Sequence, residues 1–248
     1  GNIVDDDGCR RNCRFSAIAD ADGYTWDPYS PYQYLLNGTI DAWDGFGILR
    51  VNNVPYRGGT ESVDWDARVY TAQEVELAGF QVQRRFYVAH PGDDADLRNF
   101  GRFFVRLRNP SELPRSVNLH FYGNLGSDTD TELVSSSDGD QTLNVDDDWA
   151  VSDDADGVGD PSISLIHQGQ GAPSRTSEAV LNRDVVTLRW NPVSVPARGQ
   201  ITLIIFVAQN PNRAAAAAEA RAVSLLPEAA LRGLSPADRA SLINFSLP

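Results

Sequence analysis

Residues 128–160 hold the densest run of chemistry-bearing side chains in the chain: Asp128, Asp130, Asp138, Asp140, Asp146, Asp147, Asp148, Asp153, Asp154, Asp156 and Asp160. Its end, SDDADGVGD (152–160), sets acids at alternate positions ahead of Gly157. A turn of that kind lets several carboxylate oxygens converge on one point, as a hard cation such as calcium requires. The bland alternative is a solvated hairpin loop, rich in Asp and Gly for turn-forming reasons alone. DADGYTWD (20–27) is a second, looser cation candidate through Asp20 and Asp22, set against an Asx-type turn.

Aromatic rings gather early, at Tyr24, Trp26, Tyr29, Tyr32, Tyr34, Trp43 and Trp65. Rings with an apolar body and a polar tip can stack on sugar faces or anchor a protein partner. Trp26, Tyr29, Tyr32 and Trp43 are therefore the candidate ligand-binding set; the alternative is that they staple an irregular segment to a sheet. Cys9 and Cys13 are the two cysteines, and in an exported chain a local disulfide is expected. Arg14 stands where a haem-attachment motif needs His. The histidines, His90, His120 and His167, show no metal spacing, no G-x-S-x-G elbow is present, and neither cysteine has an evident base. No catalytic residue is assigned from these patterns.

The formal charge is −13 and the pI about 4.5, which argues against nucleic-acid and anionic-membrane partners. Lysine is absent, so all 21 basic residues are Arg. Walker-A phosphate binding and Schiff-base chemistry, which need that amine, are excluded. Methionine is absent as well. The simplest expectation is that Gly1 follows a cleaved export signal, which places the protein outside the cell or on its surface. No apolar run reaches the roughly 18 residues of a membrane span.

The elements that must position these groups are mostly strands. Residues 1–45 carry turn chemistry and predict an irregular arm. From Phe46 the segments FGILRV, SVDWDARVY, AQEVELA and FQVQRRFYVAH are short, β-prone and punctuated by Gly or Pro. Within 98–123, Phe103, Val105 and Leu107 alternate with Arg102, Arg106 and Arg108. Beyond NPSELP, Val117, Leu119 and Phe121 alternate with Asn118, His120 and Tyr122. That pattern predicts a hairpin of adjacent antiparallel strands with one buried face. Further strands are expected near 131–135, 141–145, 162–167, 184–190 and 200–208. At the end, Asn210-Pro211 can cap a helix through RAAAAAEARAVSLL, and Ser235 can cap another. These helices are expected on an edge or end of the sheet. The fold expected is mainly β: one large antiparallel β-sandwich unit, with an arm at 1–45, the sandwich at 46–208 and a helical tail at 209–248.

DADGVGD is similar to the calcium loops of thrombospondin type 3 repeats. That likeness implies Asp154, Asp156 and Asp160 as calcium ligands, although Ser152 holds the usual first Asp position. The segment 81–128, a strand ending in a short acidic loop, a long strand, RNP at the turn and a returning strand, resembles β-sandwich modules of bacterial surface proteins. It is also similar to the galactose-mutarotase-like supersandwich, whose members include mutarotases and accessory domains of carbohydrate-active enzymes. The His and Glu catalysts of mutarotases have no evident counterparts here. The leading expectation is thus a non-catalytic extracellular surface, adhesion or assembly module. It would be calcium-stabilised and would associate with copies of itself or with cell-surface proteins, edge strands lending themselves to strand addition. The alternative is a carbohydrate-binding or carbohydrate-processing supersandwich domain with glycans as partners.

Overall fold

A computed structural model describes residues 17–29, 33–59, 61–64, 68–89 and 99–247. In chain order the strands begin with β1 (Ile18–Ala19), β2 (Thr25–Trp26), β3 (Pro28–Tyr29), β4 (Tyr34–Leu35), β5 (Trp43–Val51), β6 (Val54–Pro55), β7 (Glu61–Val63), β8 (Val69–Ala72) and β9 (Val75–Leu77). Longer strands follow: β10 (Phe80–Val88), β11 (Phe100–Arg108), β12 (Arg115–Leu125), β13 (Thr131–Ser136), β14 (Trp149–Asp154), β15 (Ser162–Ile166), β16 (Glu178–Asn182), β17 (Val185–Val195) and β18 (Gln200–Asn210). Helices α1 (Arg213–Ser224) and α2 (Pro236–Ala240) close the chain, with a 3-10 turn at Glu228–Leu231 between them.

These strands form two large antiparallel sheets. The first runs β13-β14-β15-β18-β11-β10-β8-β7, with β9 beside β10. The second runs β16-β17-β12-β5-β4-β3, with β6 beside β5, and β1 and β2 pair apart from both. Period-two alternation explains the assembly, because each strand turns its apolar positions to one side. Phe103, Val105 and Leu107 of β11 face Val117, Leu119 and Phe121 of β12 across a common core. Rings tie the layers together: Phe103 lies 5.1 Å from Phe121, 4.8 Å from Phe86 and 6.2 Å from Phe46. Arg84 is fully buried among them, its guanidinium over Phe103 at 5.6 Å and its Nη2 donating to Gly47 O at 2.8 Å. Gly47 adopts φ +102°, and a Cβ there would lie 2.5 Å from Phe103 Cζ, so only glycine permits this approach.

The expected hairpin at 98–123 is corrected. β11 bonds to β10 and β18, whereas β12 bonds to β5 and β17, so the chain crosses from one sheet to the other at residues 109–114. Alternation reports which side of a strand is buried and says nothing of its neighbour, so a hairpin and a sandwich arch read alike. Asn109 holds the crossing, its Nδ2 donating to Leu113 O at 2.8 Å and Pro196 O at 3.1 Å. The expected strand at 141–145 is a loop instead, gathered on carboxylates: Asp140 accepts from Thr142 N at 2.7 Å and Asp147 from Asn144 N at 3.0 Å.

β18 is buried on both sides. Ile201, Leu203, Ile205 and Val207 face the second sheet, and Ile204, Phe206 and Ala208 face the C-terminal helices. Those helices therefore cover the outer face of the first sheet, not its edge. Ala216, Ala217, Ala220 and Val223 of α1 form the contact stripe. The cap of α1 is Asn212, which accepts from Ala215 N, while Asn210 ends β18 and donates to Ser164 Oγ at 3.1 Å. Ser235 caps α2 as expected, with Asp238 completing a capping box.

Phe103→Ala should lower the free energy of unfolding by about 3–5 kcal/mol, through lost burial and the cavity left behind. Chemical denaturation followed by tryptophan fluorescence measures this; a loss under about 1 kcal/mol would contradict the ring packing described.

Candidate functional site

The acidic turn between β14 and β15 does not gather a cation site. Asp156 is exposed and spends an oxygen on Val158 N at 2.9 Å, and Asp160 is held by a hydrogen bond from Ser127. The positive charge in this turn is Arg213 of α1, whose Nε donates to Asp153 Oδ2 at 2.8 Å and Nη2 to Asp154 O at 2.7 Å. Burial, with Asp153 and Asp156 adding repulsion, pushes the Asp154 carboxyl up to about 6. Asp20 is buried and closes its own turn, accepting from Asp22 N and Tyr24 N at 3.0 Å and from Trp26 Nε1 at 2.9 Å. Asp22 is exposed. Among the described residues, no three His, Cys, Asp or Glu side chains are grouped as a metal ion needs. The expected ligands Asp154, Asp156 and Asp160 are therefore not brought together among the described residues, and Arg213 sits instead against Asp153 and the Asp154 backbone.

The aromatic set is corrected too. Trp26 and Trp43 are fully buried, 6.2 Å apart, and Trp26 packs on Phe86 at 5.9 Å. They belong to the core. Tyr29 is half-buried and stacks on Tyr34 at 5.3 Å. Tyr32, Trp65, His90, Cys9 and Cys13 lie outside the described residues. Buried His167, pushed down to about 3 by burial and then by Arg175, faces no solvent.

Polar chemistry converges elsewhere, on the outward face of the second sheet. β12 turns Val117, Leu119, Phe121 and Leu125 into the core, so Asn118, His120, Tyr122 and Asn124 point away from it. Strand register then builds rows. Glu178, Arg189, His120 and Arg50 lie side by side across β16, β17, β12 and β5. In the next row stand Val180, Thr187, Tyr122 and Ile48, all half-exposed. His120 stacks on Tyr122 with centroids 4.5 Å apart and planes at 24°. Arg50 lies over the Tyr122 ring at 5.6 Å and donates from Nε to its Oη at 3.3 Å. Arg189 pairs with Glu178 at 2.8 Å. α1 packs on β14, β15 and β18 of the first sheet and α2 on β18, and no helix among the described residues covers this face.

Electrostatics sets the state of the imidazole. Burial, then Arg189, then Arg50 hold His120 down at about 4, so it is neutral at physiological pH. Its Nε2 is buried without a hydrogen-bond partner. A base so weak is poorly matched to proton abstraction near neutrality, whereas a neutral imidazole between two guanidiniums can donate or accept one hydrogen bond to a ligand. Of this group, the sequence pattern brought forward only His120 and Tyr122, as outward positions. Arg50, Arg189 and Glu178 depend on cross-strand register, which no spacing within one strand reveals.

No protein-family model and no curated protein matches the sequence. Solved structures do. A Klebsiella pneumoniae protein assigned as an aldose 1-epimerase aligns over 81% of this chain and 80% of its own, with TM-score 0.50 and 10% identity. The two share a fold. A galactose mutarotase-like protein from Lactobacillus casei aligns over 78% of this chain and 99% of its own, with TM-score 0.43 and 10% identity. A galactose mutarotase related enzyme from Lactobacillus acidophilus aligns over 79% and 97%, with TM-score 0.45 and 8% identity. This likeness corrects the expectation of a surface, adhesion or assembly module: the fold is one seen in a protein assigned as an aldose 1-epimerase.

His120 should titrate near 4 by NMR, and Arg50→Gln or Arg189→Gln should each raise that value. Because the folded value lies below the ordinary 6.5, His120 contributes stability above about pH 6.5 that is lost as pH falls through about 4. On the other sheet, burial pushes Glu219 of α1 up to about 8, with Asp20 and Asp22 adding to the shift. Its contribution is full below the ordinary 4.5 and lost as pH rises through about 8. Thermal melts from pH 6 to 9 should fall less steeply for Glu219→Gln than for the parent; parallel curves would refute this.

Proposed function

We propose that this protein binds carbohydrate on the outward face of its second sheet. The observation that carries this reading is the pairing of two rows of unlike character on one open surface. A sugar ring has a C–H face and a rim of hydroxyls. Ile48, Val180 and Thr187, alongside the edge of Tyr122, offer an apolar shelf for the first. Glu178, Arg189, His120 and Arg50 offer donors and acceptors for the second. From Glu178 to Arg50 is three strand spacings, about 14 Å, room for more than one ring.

Binding is favoured over turnover by the state of the imidazole. A catalyst of proton transfer works best near the ambient pH, and His120 is held well below it. The likeness of fold to proteins named as sugar epimerases supports carbohydrate as the ligand class, and the residues named here come from this chain alone.

Titration with a panel of mono- and oligosaccharides, neutral and acidic, followed by NMR, tests the proposal. Shifts should cluster at Ile48, Tyr122 and Thr187, and Tyr122→Ala should weaken binding roughly tenfold. Silence across the whole panel, or shifts confined to the first sheet, would sink it.

A further inference from the structure

The acidic character of the chain makes one arginine stand out. Several arginines sit against carboxylates, as Arg189 does against Glu178 and Arg213 against Asp153. Arg50 does not. Its Nε is spent on the Tyr122 hydroxyl and its plane lies over the Tyr122 ring, while its two Nη groups meet no acceptor among the described residues. The nearest acid along its own row is Glu178, three strands away and already held by Arg189. Asp184, further along the same sheet, accepts from Asn124 Nδ2 at 3.0 Å. In a chain of net charge −13, this is a local excess of positive charge on an otherwise anionic molecule.

We propose that the sugar this face takes carries a carboxylate, seated on the Nη groups of Arg50 beside His120, so that the ligand class is a uronate. The proposal rests on the carbohydrate reading above. A guanidinium presents paired N–H groups in a rigid fork that matches the two oxygens of a carboxylate. Tyr122 fixes the plane of that fork before any ligand arrives, which lowers the ordering cost of binding. The same ring leaves its flank to the sugar, so the acid and the ring are recognised by adjacent atoms. The charged groups facing His120 are Arg50 on β5 and Arg189 on β17, with Glu178 beyond Arg189 on β16. A carboxylate placed here offsets the two guanidiniums, and the imidazole becomes easier to protonate.

The test compares the methyl glycosides of glucuronate and galacturonate with those of glucose and galactose, and with acetate and sulfate alone, by NMR titration of the full chain. The uronates should bind roughly tenfold tighter than their neutral counterparts, and their binding should raise the titration midpoint of His120. Arg50→Gln should bring uronate affinity down to that of the neutral sugar, while Arg198→Gln, an exposed arginine paired with Glu112 elsewhere, should leave the difference intact. Arg50→Lys, which keeps the charge and loses the fork, gives an intermediate affinity and guards against a fold defect in the first variant. Equal affinity for uronate and neutral sugar overturns the carboxylate proposal and leaves the carbohydrate reading standing. Acetate or sulfate binding as tightly as the uronates overturns both, since the ring then contributes nothing, and so does the absence of any binding.

Discussion

Two sheets close on each other through a seam of phenylalanine rings, and the direction of every side chain on their outer faces follows from that closure. Phe46, Phe86, Phe103 and Phe121 come from four strands and meet within 4.8–6.2 Å, at tilted or edge-on angles that aromatic quadrupoles favour. Arg84 is buried inside this seam, its charge set against ring faces and the Gly47 carbonyl. Slipping any of these strands by one residue would move its apolar set outward. Register is thereby fixed by the core, and the outward rows inherit it without having to stabilise anything themselves.

The two sheets are not equivalent. Helices and their connecting turns lie on the outer face of the first, so β18 is buried on both sides and reads as an unbroken apolar run. Among the described residues, the second sheet packs on one side only. Buried polar groups of the first sheet are spent on architecture: Arg102 donates to the Ala230 and Arg232 carbonyls, and Arg85 to Asp238. Those on the outward face of the second, Arg50, His120, Tyr122 and Arg189, are half-exposed. That difference in exposure places the candidate site on the second sheet.

Much of the architecture was legible in the sequence. The core-facing positions of β11 and β12 were read correctly, since alternation is a local property of one strand; the other face of β11, with Phe100, Arg102 and Phe104, was expected to meet solvent and is buried beneath the C-terminal helices. Their partners were not, because Asn109–Leu113 can equally join two strands of one sheet or arch between two sheets. The Asp-rich loop misled for a related reason. Composition shows that carboxylates are near one another in the chain, whereas a cation site needs their oxygens to aim at one point, and no such grouping forms among the described residues. Trp26 and Trp43 were expected to meet ligand and instead fill the core, the alternative that the same rings allowed. Glu178, Arg189 and Arg50 belong to segments 139 residues apart from end to end and became neighbours only once the sheet order was known.

The one-sided packing of the second sheet separates two kinds of inheritance. Residues turned inward answer to their neighbours across the core, and a change in one obliges a change in others. Residues turned outward along β16, β17, β12 and β5 answer to solvent and to whatever lands there, so each can be exchanged with little penalty to the rest. Such a surface behaves as a page that a lineage can rewrite while the binding of the book stays whole.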